Sequence, residues 1–208
     1  MTTIGLVPMA AKPFHAGHFG LIQIAAKEND VVKLYVSLSD RDTISGKAMQ
    51  SIWKDQIEDI LPSNVEITYG GSPVRNVYLE IGNASESNSQ DNFTIYSDPV
   101  DAAENFSDKS LQKYAKNLYD NGSVITRGIE RTSTVNVSGT KMRQFIADND
   151  KESFKKFLPK NIDGNKYWNT LMSIKPVEKE IKIKTPKWAK PKLESLIREY
   201  ILLTIKKL

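Results

Sequence analysis

The only two histidines of this 208-residue chain stand three residues apart, in Pro13-Phe14-His15-Ala16-Gly17-His18. Paired imidazoles can donate hydrogen bonds to phosphoryl oxygens, and a glycine between them lets an anion approach the backbone. The tetrad follows an apolar run, Ile4-Gly5-Leu6-Val7, and precedes Leu21-Ile22-Gln23-Ile24-Ala25-Ala26. It therefore belongs where a first strand turns into a first helix, where unpaired N–H groups and the positive end of the helix dipole gather. A lone histidine at such a turn usually only packs or caps. Two in this setting point to phosphate chemistry at neutral pH. A zinc shell could be completed only by carboxylates, since there is no cysteine and no third histidine, and no metal site on the chain itself is expected.

A second group, Val137-Ser138-Gly139-Thr140-Lys141-Met142-Arg143, reads as the start of a late helix with Ser138 as its N-cap. Ser138, the Gly139 backbone and Thr140 offer hydroxyl and N–H donors. Arg143, one turn further on, can point back at the same anion. Ser-Gly-Thr alone is a common helix start, and it gains meaning only if it faces the histidines.

The elements that must carry these groups alternate. Val31-Val32-Lys33-Leu34-Tyr35-Val36-Ser37-Leu38 predicts a second strand, ended by the turn residues Ser39-Asp40-Arg41-Asp42. Ala48-Met49, Ile52-Trp53, Gln56-Ile57 and Ile60-Leu61 predict an amphipathic helix closed by Pro62. Val65 to Tyr69 predicts a third strand broken by Gly70-Gly71, and Val74, Val77-Tyr78 and Ile81 a short helix with Pro73 in its first turn. Residues 83–91, nearly devoid of apolar side chains, predict a mobile surface loop. Phe93 to Tyr96 predicts a fourth strand and Val124 to Thr126 a fifth. Leu111, Tyr114-Ala115 and Leu118-Tyr119 mark one helix between them, ended by Asn121-Gly122. This alternation predicts an α/β fold, a doubly wound, parallel, five-stranded sheet with ligands at the carboxyl ends of the strands. Both the His15 and Ser138 turns would open on that edge.

Charge divides the chain. Residues 1–150 hold 14 Lys+Arg against 19 Asp+Glu, whereas residues 151–208 hold 15 against 6. The expected organisation is a core over 1–150 and a basic, mainly helical extension over 151–208. In the extension, Phe154, Phe157-Leu158, Ile162, Tyr167-Trp168 and Leu171-Met172 predict one or two short helices packed on the core. Lys175 to Pro191 reads as a linker, and Leu193 to Ile205 as an amphipathic helix suited to the core or to a homo-oligomer. The absence of cysteine excludes disulfides and fits a reducing compartment. Without a signal-like start or an apolar stretch of bilayer length, the expectation is a soluble, cytoplasmic protein with no membrane partner.

Taken together, Pro13-Phe14-His15-Ala16-Gly17-His18 and Ser138-Gly139-Thr140-Lys141-Met142-Arg143 resemble the nucleotidylyltransferase superfamily. That family pairs a His-x-Gly-His motif after strand one with a Ser-(Ser/Thr/Gly)-Thr-x-x-Arg motif at a late helix start. The resemblance spans roughly residues 3–148. It implies a Rossmann-like fold and an enzyme that transfers a nucleoside monophosphate from a nucleoside triphosphate to a phosphorylated small-molecule acceptor, releasing pyrophosphate. Mg²⁺ would assist, held mainly by nucleotide phosphates.

By position, the resemblance implies that His15 and His18 stabilise the transferring α-phosphoryl group and that Ser138, Thr140 and Arg143 hold the β- and γ-phosphates, Arg143 as a further catalytic cation; Lys12, just before the tetrad, is a candidate catalytic cation that could equally be a solvated surface charge. Pro13, Phe14, Gly17, Ser138, Gly139 and Thr140 would form the nucleotide-binding set. Arg41, Lys47 and Arg75 would lie toward the acceptor, and Lys47 and Arg75 could equally be solvated surface cations. Asp98, Arg127 and Arg131 fall on the same edge, where a structural salt bridge is the default. The Ser-Gly-Thr-x-x-Arg form is similar to adenylyl-transferring members. Cytidylyl members usually show Arg-Thr-x-Gly-Ile-Ser-Thr-Thr, from which Arg131 to Ser138 departs by one extra residue and a lost glycine, so ATP is favoured over CTP. The alternative is a non-catalytic nucleotide- or nucleic-acid-binding protein that uses the basic extension, although that segment lacks the interleaved aromatics of a single-strand groove.

Overall fold

Short β-branched and aromatic runs, each bounded by turn residues, pair as one sheet. In the computed structural model, which describes residues 1–130 and 135–176, the strands are β1 (Thr3–Met9), β2 (Val31–Val36), β3 (Val65–Tyr69), β4 (Asn92–Ser97) and β5 (Val124–Gly128). Their order is β3-β2-β1-β4-β5 and every pairing is parallel. The order reverses between β1 and β4, so a crevice opens beyond their carboxyl ends.

The pleat sorts side chains to two cores. Val7 and Met9 of β1 face the same way as Val32, Leu34 and Val36 of β2, while Ile4 and Leu6 share the other face with Tyr35, Phe93 and Ile95. The first face is covered by α1 (Ala16–Glu28) and α2 (Gly46–Ile52), the second by α3 (Pro73–Glu86), α5 (Asp108–Tyr114) and α6 (Lys116–Asp120). The remaining helices are α4 (Pro99–Asn105), α7 (Gly139–Ala147), α8 (Lys151–Lys155) and α9 (Gly164–Ser173). The expected short C-terminal helices are α8 and α9, and Phe154, Tyr167, Trp168 and Leu171 join the first core. Burying each such side chain contributes about 1.5–3 kcal/mol.

Three local expectations need correction. Residues 83–91 are not all loop, because Asn83 to Glu86 form the last turn of α3. Ser85 is buried there, its Oγ accepting from the Asn117 N–H at 3.0 Å and its carbonyl from Asn117 Nδ2 at 3.0 Å. The helix marked by Leu111 to Tyr119 is two helices, α5 and α6, broken at Ala115, whose φ of −142° is not helical. The helix expected to run to Leu61 is regular only to Ile52, continuing as a π turn (Trp53–Ile57) and a 3₁₀ turn (Glu58–Ile60). The chain also forms α4, which Asp98 caps by accepting from the Val100 N–H at 3.0 Å, with Pro99 at the first helical position. No helix among the described residues is long and apolar enough to cross a membrane. The linker and last helix expected beyond residue 176 lie outside the described residues.

Candidate active site

The histidine turn leaves β1 with Ala11 in the left-handed region, at φ 44°, and enters α1 at His15. Phe14 anchors it: fully buried, its ring meets Trp53 edge-on at 4.9 Å and stacks on His18 at 5.8 Å. The His15 and His18 rings stack at 3.8 Å between centroids, with His15 buried. Space between them is tight, since a Cβ at Gly17 would lie 3.0 Å from His15 Nδ1 and 3.1 Å from the Val135 carbonyl and its neighbours would have to shift by a few tenths of an ångström. The spacing read from the sequence therefore becomes a stacked imidazole pair at a helix N-terminus.

The second motif begins as expected. Ser138 caps α7, its Oγ accepting from the Lys141 N–H at 3.1 Å. From α7 the Arg143 guanidinium crosses to the histidine turn, donating through Nη1 to the Lys12 carbonyl at 3.0 Å and through Nη2 to Thr140 Oγ1 at 3.1 Å. Its Nε meets Asp42 Oδ2 at 2.9 Å. One side chain thus ties together the two motifs and the turn after β2. Burial, with Arg41 nearby, pulls the guanidinium below its ordinary value, and Asp42 opposes the shift.

Lys12 is almost fully buried, and its Nζ donates to Ser37 Oγ at 3.2 Å and Ser39 Oγ at 3.3 Å. Burial lowers its pKa from 10.5 to about 8, with Asp40 pulling it back up and Arg41 adding to the fall. A hydroxyl pair solvates this ammonium but does not neutralise it.

These groups line a cleft of about 550 Å³. Lys12, His15, Gly17 and His18 line it from the first motif, Ser138, Gly139, Thr140 and Arg143 from the second, and Arg41 from the turn after β2. Pro13, Phe14, Lys47 and Arg75 do not. Phe14 lies beneath the turn in the core, and the Lys47 N–H serves the cap of α2 by donating to Ser45 Oγ at 3.2 Å. Arg127 makes the default salt bridge, to Glu28 at 2.8 Å, and Arg131 lies outside the described residues.

The cleft also has walls not anticipated from sequence. Ser97, Asp101, Asn105 and Phe106 line it beside Asp98, and Pro73 and Val74 face it from the start of α3. The Asp98-Pro99 pair was a readable helix start; Ser37 and Ser39, two residues apart at the end of a predicted strand on the ligand edge, were a readable polar pair. Asp42 carried no signal, because its value comes from a partner 101 positions away in sequence. Among the described residues, no group of three or more His, Asp or Glu side chains could hold a metal ion.

Comparison with known proteins matches residues 4–74 to the family described as the citrate lyase ligase C-terminal domain. The match covers the histidine turn and the turn after β2, and ends in the first turn of α3. No curated protein matches the chain. Among solved structures, the chain is similar to Thermotoga maritima TmcAL bound with alpha-thio ATP (form II), at 12% identity and a TM-score of 0.47 over 83% of this chain. The alignment takes in 56% of that protein, so the present chain spans little more than half its length.

Proposed function

We propose that this chain is a nucleotidylyltransferase that moves a nucleoside monophosphate, AMP from ATP in preference to CMP from CTP, onto a phosphomonoester acceptor. The observation that carries this reading is Arg143, which joins the Lys12 carbonyl to Thr140 and so gathers both motifs around one cleft. Histidine pairs and helix starts are common separately; a shared cleft lined by both gathers donors suited to phosphate oxygens.

In the reaction, an acceptor phosphate oxygen attacks the α-phosphorus in line. The bond to the bridging oxygen breaks and pyrophosphate leaves with that electron pair. No side-chain nucleophile is required, so the chain contributes position and charge. His15 and His18 would donate to the α-phosphoryl oxygens as charge builds there. Ser138, the N-terminus of α7 and Arg143 would hold the β- and γ-phosphates, and Lys12 would bring a fixed cation to the β1 end of the cleft. Mg²⁺ bound to the triphosphate would supply further charge neutralisation, coordinated by phosphate oxygens and water.

Arg41 is the acceptor-side cation that this reading favours over Lys47 and Arg75, because it lines the cleft and they do not. The test is pyrophosphate release from ATP or CTP with panels of phosphomonoester and carboxylate acceptors, the second included because the matched family is a ligase domain. Release with ATP and a phosphomonoester, lost in His18→Ala, is expected. Release only with carboxylates would change the acceptor class, and no release with any pair would overturn the reading.

A further inference from the structure

The peptide groups on both sides of His15 are held by the C-terminal helical region. The Tyr167 O–H, on α9, donates to the Phe14 carbonyl at 3.0 Å. The Ala16 N–H donates to the Phe157 carbonyl, just after α8, at 2.8 Å. One bond restrains the Phe14–His15 peptide and the other the His15–Ala16 peptide, whose carbonyl also accepts from the Phe19 N–H of α1 at 3.1 Å. The two dihedral angles of His15 are rotations between those planes, so φ −148° and ψ 172°, and with them the direction of its Cα–Cβ bond, are restrained from the C-terminal region as well as from α1.

Neither partner belongs to a motif. Tyr167 is completely buried, with its hydroxyl also 3.8 Å from Met49 Sδ and its ring packed on Phe154 at 5.5 Å. Phe154 in turn meets Trp168 edge-on at 5.3 Å. This buried aromatic cluster reaches the histidine turn through one hydroxyl and one carbonyl. Burial pushes the phenol well above its ordinary value, so it remains a protonated donor at working pH.

We propose that Tyr167 is a positioning residue for His15, and that the α8–α9 region is a buttress that aims the imidazole pair at the transferring phosphoryl group. This rests on the nucleotidylyl-transfer reading for its consequence in catalysis, but not for its consequence in the histidine spectrum. The chain has no histidines besides His15 and His18, so the imidazole NMR signals of the full chain report on this turn alone.

The experiment compares Tyr167→Phe with Tyr96→Phe. The second variant deletes the hydroxyl of another buried tyrosine, which accepts from Asn29 Nδ2 and donates to Glu28 and does not line the cleft. Both are expected to lower the melting temperature by about 2–4 °C, the scale of one lost hydrogen bond in a domain of this size. Tyr167→Phe alone is expected to shift the His15 imidazole resonances and titration midpoint, and to lower kcat about 10-fold with little change in KM for the nucleotide. Placing 3-fluorotyrosine at position 167 keeps the hydroxyl while changing its acidity, and is expected to move the same resonances. Histidine signals that respond no more to position 167 than to position 96 would overturn the proposal. If the wild-type chain transfers no nucleotide, the functional reading fails, and the spectra still decide whether the buttress aims His15.

Discussion

Both faces of the sheet are buried under helices, the first drawing on β3 and the second on β5 besides the strands they share, yet only one is wired to both motif turns. On the face covered by α1, α2, α8 and α9, the core runs without a break from Val7 and Leu34 through Phe14 to Tyr167, and takes in Met142 and Ile146 of α7. On the opposite face, Ile4, Leu6 and Phe93 pack against Val77, Ile81, Leu111 and Leu118. That second core reaches the cleft through Phe106 and Val74, beyond the motifs. Burial alone does not make a residue matter to the chemistry; what matters is whether its core holds the turns.

Truncations test this division most strongly. Trp168→Ala on the motif-bearing face and Leu118→Ala on the other are expected to cost about 3–5 and about 2–5 kcal/mol in urea unfolding. Initial rates on the folded fraction should separate them: Leu118→Ala keeps the wild-type kcat, and Trp168→Ala does not. Equal losses of kcat would break the comparison.

Within the cleft, His18→Ala is expected to lower kcat/KM by about 10²–10³, the scale of one lost donor to a developing phosphoryl charge. Its unfolding midpoint should stay within a degree or two of wild type, because the turn is anchored by Phe14.

Gly46→Ala sharpens the link between the turn after β2 and the site. A Cβ at Gly46 would lie 1.7 Å from the Leu38 carbonyl oxygen, so α2 must move. A cost of about 1–3 kcal/mol or more is expected, together with a weaker KM for the acceptor, since Arg41 rides on the displaced turn.

Lys12 gives the pH dependence. Its cation is lost as pH rises through about 8, so kcat/KM should fall on the alkaline side with that midpoint, and Lys12→Gln should remove the limb. For stability the sign is opposite. The folded pKa lies below the unfolded value of 10.5, so the unfolded chain binds more protons between pH 8 and 10.5, and this group's contribution rises with pH across that window. The smallest effect is expected at Asp42, which is well exposed in its pair with Arg143. Asp42→Asn should change stability by less than about 1 kcal/mol.

How far the sequence speaks follows the range of the interactions. The strand-to-helix turn at His15 and the Ser138 cap were legible because their causes lie within a few residues: an apolar strand, a glycine, a hydroxyl three positions from its N–H. The parallel sheet was legible from alternation. What stayed hidden depends on partners distant in the chain. Ser85 is helical and buried because Asn117 bonds it, although its own neighbourhood reads as loop. Arg143 finds the Lys12 carbonyl 131 positions away, and the bracket on His15 comes from residues 157 and 167. Lys12 stood out as a cation near the turn, but its lowered pKa needs the burial that only the fold supplies.

The central claim is that both motifs form one nucleotide site, and titration of Mg²⁺-ATP into the full chain while observing its two imidazoles tests it most directly. Saturable shifts of both histidines in wild type, with affinity weakened about 10-fold or more in Arg143→Ala, are the predicted result. Binding that leaves the imidazole signals in place, or that is indifferent to Arg143, would contradict it.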